Sequence, residues 1–173
     1  SCTLNSRWEN VWPAESVAKM IVPDDLTLEL LVSEPEVCQP LTMKWDARGR
    51  LWVMQYLQYP NPAGLTPVSR DKHLRTVYDK IPPAPPNHFR GEDKISIHED
   101  SDGDGKLDKH TTYLDGLSLC SSFEFGRGGM WVLNPPYLLF YPDANSHDVP
   151  DGDPVVHLEG FGIEDSHSIT NNI

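Results

Sequence analysis

Cys38 to Val53 reads CQPLTMKWDARGRLWV, and Cys120 to Val132 reads CSSFEFGRGGMWV. The two stretches follow one pattern, with the second copy shorter: a run of alternating character, a Gly-containing turn, then a Trp-Val strand. A further pair follows. Ile95 to Leu117, ISIHEDSDGDGKLDKHTTYLDGL, matches Leu138 to Phe161, LLFYPDANSHDVPDGDPVVHLEGF, and aligns Asp100 with Asp143 and Asp108 with Asp151. A repeated unit of this size, rich in turn residues, points to a repeat architecture rather than to an ordinary mixed domain.

Each copy predicts four short strands. In the first they fall at about Leu41–Trp45, Leu51–Tyr56, Lys94–His98 and His110–Leu114; in the second at about Ser121–Phe125, Met130–Leu133, Tyr137–Tyr141 and Pro154–Leu158. A four-stranded meander repeated in this order describes blades of a β-propeller. The expectation is therefore an all-β chain, a partial β-propeller of about two four-stranded blades with a long insertion and calcium-binding hairpin loops. An N-terminal extension covers 1–21 and the partial propeller 22–173, with blade-like units at about 38–117 and 118–161 and the insertion at 57–93. The alternative is a β-sandwich whose halves are alike by chance.

Composition agrees with short strands and turns. Sixteen prolines and twelve glycines are spread along 173 residues, and hydrophobic residues make up 38%. The net charge of −12, from 26 acidic and 14 basic residues, repels phosphate backbones and anionic membranes, so no nucleic-acid partner is expected. No apolar run reaches the roughly 20 residues of a membrane span, so no transmembrane segment is expected either. Cys2, Cys38 and Cys120 include no Cys-x-x-Cys, which gives neither a zinc site nor c-type haem. Each reads as a buried thiol, and Cys38 with Cys120, at equivalent places in successive units, is the candidate disulfide pair.

The stretch His98 to Asp108, HEDSDGDGKLD, crowds carboxylates that repel one another unless a cation sits among them. Asp at positions 1, 3, 5 and 9 with Gly at 6 is calcium-loop spacing. Asp100, Asp102, Asp104 and Asp108 are the expected side-chain ligands, with the backbone carbonyl of Lys106 at position 7. It departs from an EF-hand, since Thr111 stands at position 12 and the flanks read as strands; a solvated acidic turn is the alternative. The second loop retains Asp143, Asn145 and Asp151 as oxygen donors, but has His147 at position 5 and lacks the glycine. Hard Ca²⁺ does not favour imidazole, which leaves Asp148 or Asp153 as substitute donors.

The stretches GRLWVMQYLQYPNPAGLTPVSRDKHLRTVYDKIPPAPPNHFRGEDKISIHEDSDGDG, GRGGMWVLNPPYLLFYPDAN and GFGIEDSHSITN resemble the N-terminal propeller of the large exported planctomycete membrane-bound dehydrogenases. The resemblance covers about Val22 to Ile173. Those proteins are similar to quinoprotein glucose and sorbosone dehydrogenases, and many carry a later cytochrome-like domain with a Cys-x-x-Cys-His motif that this chain lacks. His147 departs from the aspartate usual at that place. The resemblance implies export to the periplasm or the extracellular space, and pyrroloquinoline quinone as cofactor of the completed protein. It also implies His167, in EDSHSITNNI, as the general base; the alternative is a histidine lining a channel. His73, His88, His98, His110 and His157 read as surface or packing residues.

Two functions stay open: a calcium-binding extracellular propeller module in a larger dehydrogenase-like assembly, and the N-terminal part of a quinone-dependent sugar or alcohol dehydrogenase, inactive as this chain alone. In both, the expected partner is a polypeptide completing the propeller, or further copies of the chain, with the stretch Leu26–Ser33 adding to it as a strand.

Overall fold

The computed structural model describes residues 12–167, 169–170 and 172–173. Alternating apolar residues become paired strands wherever a turn residue lets the chain reverse. The first four-stranded sheet contains β1 (Pro40–Trp45), β2 (Leu51–Gln55), β5 (Asp93–Glu99) and β6 (Lys109–Leu117), in the order β1-β2-β5-β6. The second contains β7 (Ser122–Phe125), β8 (Gly129–Asn134), β9 (Tyr137–Pro142) and β10 (Val155–Glu159), in the order β10-β9-β8-β7. All neighbours are antiparallel. Each sheet is thus a meander in chain order, the first interrupted by the insertion, and all eight expected strands are present with ends within three residues of those expected.

Between β2 and β5 the insertion forms a hairpin of its own, β3 (Pro67–Arg70) with β4 (Thr76–Tyr78), which the sequence reading did not anticipate. Its turn copies the β1–β2 turn. Asp46 Oδ1 accepts the backbone N–H groups of Arg48 and Arg50, and its Oδ2 accepts Arg50 Nε; Asp71 does the same for His73, Arg75 and Arg75 Nε. Gly49, at φ 76°, occupies the left-handed position of the first turn, and Leu74, at φ 64°, the same position of the second.

The two large sheets pack face to face. Trp52, Met54, Ile95, Ile97 and Tyr113 meet Phe123, Met130, Val132, Leu139 and Tyr141 in one core, which follows from the period-2 alternation along each strand. Phe123 and Val132 are fully buried. At the rim β1 lies beside β7, where Thr42 Oγ1 donates to the Ser121 carbonyl at 3.3 Å and Lys44 pairs with Glu124 at 2.6 Å. The opposite face of the first sheet, with Leu51 and Val53, is covered by Val37, Leu107 and the partly buried Val32.

Three expectations need correction. Leu26–Ser33 forms no strand, because nothing in the described chain offers its backbone a ladder, and Leu26, Leu28 and Leu30 stay exposed. The N-terminal extension includes one short helix, α1 (Pro13–Lys19), started by proline in its first turn, so the chain is mostly β rather than wholly so. The Cys38–Cys120 disulfide is not formed. Cys120 is a free thiol sealed in the inter-sheet core, whereas Cys38 is disulfide-bonded and sits on the far side of the first sheet, where its N–H donates to Gln55 Oε1 at 2.8 Å. Cys2 lies outside the described residues.

Asp93 joins the insertion to the inter-sheet link. It is fully buried, accepting the N–H of Gln58 at 2.7 Å on one oxygen and that of Cys120 at 2.8 Å on the other. Burial outweighs these bonds and pushes its carboxyl up to about 6. The neutral form is therefore favoured on folding, and the stability this group contributes is complete below the unfolded value near 3.8 and lost as pH rises through about 6. Asn offers one acceptor where two are used, so Asp93→Asn is expected to cost about 1–3 kcal/mol at pH 5 and less at pH 8. Urea denaturation at the two pH values checks this; a cost equal at both would dismiss the buried titration.

Candidate functional site

The β1–β2 turn, the β5–β6 loop and the β9–β10 loop emerge at one end of the two sheets. The insertion emerges at the other. The β5–β6 loop is the acidic one. One carboxylate oxygen each from Asp100, Asp102 and Asp104 lies within 4.8 Å of the others. Two oxygens on one Ca²⁺ are at most twice the bond length of about 2.3–2.6 Å apart, so the spacing suits a single ion.

The local sequence builds this cluster. Asp100 accepts N–H groups from Gly103 at 2.7 Å and Gly105 at 2.8 Å, one on each oxygen; both glycines are left-handed, at φ 81° and 89°. Asp102 accepts the N–H of Asp104 at 3.1 Å, and Asp104 that of Lys106 at 2.9 Å. The Lys106 ammonium, 3.0 Å from Asp104 Oδ2, holds that carboxyl below its usual range. Leu107 is buried against Val37, Leu51 and Val53, anchoring the returning limb of the loop.

Asp108 stands apart from the triad. Its two oxygens accept the N–H and the hydroxyl of Ser101, both at 2.7 Å, which lowers its carboxyl. Asp151 repeats this role in the second loop, accepting the N–H of Ala144 at 2.9 Å. Each of the two also donates its own N–H across the loop base, Asp108 to Glu99 and Asp151 to Pro142. The alignment of Asp108 with Asp151 thus corresponds to a shared job, closing the loop. Asp143 accepts the N–H of His147 at 3.1 Å. Asp148 does not turn towards Asp143: it grips Arg50 of the other sheet with two bonds, 2.6 and 2.8 Å, and Arg48 at 3.0 Å. Among the described residues the second loop contributes to no group of three converging His, Cys, Asp or Glu side chains.

A second cluster lies at the insertion end. His167 Nε2 is 2.6 Å from Tyr59 Oη, and its Nδ1 is 3.4 Å from Asp165 Oδ1. The same Asp165 oxygen accepts the His167 N–H at 3.0 Å. Tyr59 comes from the insertion, so no spacing in the sequence linked it to His167; Asp165, two residues away, was the readable half. His98 and His110 face each other across β5 and β6, Nδ1 to Nδ1 at 2.8 Å, with His98 Nε2 at 2.8 Å from Ser96 Oγ. Burial, with His110 beside it, depresses the His98 imidazole to about 4; it is a packing residue, as expected.

The family model described as "Domain of unknown function (DUF7133)" matches residues 12–173. No curated protein and no solved structure matches the chain.

Proposed function

We propose that this chain, which belongs to the DUF7133 family, is a calcium-binding, exported β-propeller module that works within a larger dehydrogenase-like assembly. The observation that carries the metal is the oxygen-only triad Asp100, Asp102 and Asp104, which suits a hard cation and lacks the sulfur or imidazole that softer metals prefer. The two meanders are read as successive blades. Their face-to-face core and the adjacency of β1 and β7 support that reading. Export is supported by the disulfide at Cys38, a bond that persists in oxidising compartments. No described helix is long and apolar enough to cross a membrane.

The unpaired surfaces support a completing polypeptide. Leu41, Met43 and Trp45 of β1 are exposed on the side away from the second sheet, and Leu26, Leu28 and Leu30 of the segment without a ladder are exposed as well. Apolar surface and free backbone together invite strand addition. The chain is expected to sediment as an assembly with the rest of its propeller or with its own copies. Analytical ultracentrifugation at low micromolar concentration checks this, and a stable 19.5 kDa monomer with protected amides from Leu26 to Ser33 would dispose of it.

The pairing of His167 with Asp165 and Tyr59 favours a second reading, in which the completed protein is a sugar or alcohol dehydrogenase of the resembled kind and His167 its base. Pyrroloquinoline quinone is the cofactor of the completed protein in that reading, and the groups beside His167 are not suited to hold it by themselves. Glu164 and Asp165 are acidic, and Arg75, the cation they influence, is already held by Asp71 at 2.6 Å. A tricarboxylate finds no free cationic partner among these groups.

A further inference from the structure

The Tyr59–His167–Asp165 contact has a direction. A hydroxyl both donates and accepts, so the 2.6 Å contact alone leaves the imidazole tautomer open. Asp165 decides it. With a carboxylate oxygen 3.4 Å from Nδ1, the neutral ring keeps its proton on Nδ1, because a lone pair there would face a negative charge. Nε2 is then the acceptor and the Tyr59 hydroxyl the donor. The single lone pair of Nε2 is thereby taken by the phenol.

The segment carrying His167 is tied to the insertion on both sides of Asp165. The Glu164 carbonyl accepts the N–H of Thr76 at 2.9 Å, and the Ser166 carbonyl accepts Tyr56 Oη at 3.5 Å. The Tyr59 and His167 rings meet edge to face, 5.5 Å between centroids at 87°. The pair is nonetheless open to solvent, with Tyr59 40% exposed. As the donor to Nε2, the phenol oxygen keeps lone pairs with which it can accept from a ligand.

We infer that Asp165, His167 and Tyr59 form a proton relay whose outer group is Tyr59, so that an alcohol hydroxyl bound at this site gives its proton to Tyr59 Oη while the phenol proton passes to His167 Nε2. The ligand becomes an alkoxide, the tyrosine ends as it began, and the imidazolium is balanced by Asp165. Tyr59 touches the ligand; His167 acts through it and Asp165 positions the ring. This rests on the reading of His167 as a base, and it assigns the long insertion a chemical task, that of delivering Tyr59.

The test uses p-nitrophenyl acetate on the 173-residue chain. An activated Tyr59 Oη attacks the acetyl carbonyl, the bond to p-nitrophenolate breaks, and the phenol proton moves to His167; O-acetyl-Tyr59 is located by peptide mass spectrometry. His167→Ala and His167→Gln are expected to slow this labelling by at least about tenfold, a modest share of what a general base contributes. The pH profile of wild-type labelling is expected to change in both variants. All three side chains are at the surface, so the substitutions spare the core. Release of p-nitrophenolate that needs His167 but is unchanged in Tyr59→Phe overturns the relay and leaves His167 as a base acting directly. Labelling of Tyr59 that is unchanged in the His167 variants overturns both.

Discussion

Replacing Arg50 with alanine is expected to cost about 3–5 kcal/mol, the loss typical of one partner removed from a buried ion pair. The Arg50 side chain is only 6% exposed and lies between two carboxylates, Asp148 at 2.6 and 2.8 Å and Asp46 at 2.8 Å. Its loss leaves Asp148 with Arg48 alone and Asp46 with its N–H donors alone, with no buried guanidinium charge between the two carboxylates. Asp46 is additionally committed to the N–H groups of Arg48 and Arg50 and to the Trp52 indole at 3.0 Å, so it cannot turn outwards to water. Arg48 touches the same Asp148 from the surface, and removing it is expected to cost less than about 1 kcal/mol.

Arg50→Lys is expected to rescue only part, because one ammonium cannot span two carboxylates in the way a planar guanidinium does. Asp46 and Asp148 both titrate below their usual range: for Asp148 the Arg50 bonds are the main cause, and for Asp46 the N–H donors outweigh the opposing effect of burial. The stability they contribute is therefore present above about pH 4 and lost as pH falls through their depressed values. Urea denaturation at neutral pH, followed by tryptophan fluorescence, measures the effect. An Arg50→Ala midpoint within error of wild type would show the inter-sheet clamp to be dispensable.

Chelation is expected to give the second large effect. If Asp100, Asp102 and Asp104 hold Ca²⁺, a free concentration about 100 times the dissociation constant stabilises the fold by about 2.7 kcal/mol. For a chain of this size that is a melting temperature about 5–10 °C higher than in chelator. Ca²⁺ should restore the melt and Mg²⁺ should not, because the smaller ion demands near-octahedral geometry at about 2.0–2.1 Å and sheds its water reluctantly. Asp102→Asn should shrink the response while leaving the chelated protein unharmed, since Asp102 accepts only the N–H of Asp104, which an amide oxygen can also accept. A melt indifferent to chelator removes calcium from this loop.

The two loops show how far residue identity reaches. Asp100, Asp102 and Asp104 converge because the spacing is local: left-handed Gly103 and Gly105 turn the chain, and each carboxylate is oriented by N–H groups within five residues. Asp108, at the same spacing, also accepts from Ser101 and closes the base of the loop, as Asp151 closes the second. Asp148 looked like a spare ligand for that second loop. It is held instead by Arg50, nearly a hundred residues earlier in the chain, and no local pattern carries that information.

What the sequence determined by itself was the repeated meander: eight strands, their order, the turns between them and the acidic triad. All of these depend on side-chain alternation and turn chemistry over a few residues, where covalent connection already brings the groups together. Tertiary structure alone decided which cysteine is bridged, Cys38, and which keeps its thiol, Cys120, together with the Arg50 clamp between sheets, the buried Asp93 and the meeting of Tyr59 with His167. Each of those is a contact between segments whose separation in the chain says nothing about their distance in space. It is set by which faces of the two sheets must bury their apolar residues, and by where the insertion comes to rest once they have done so.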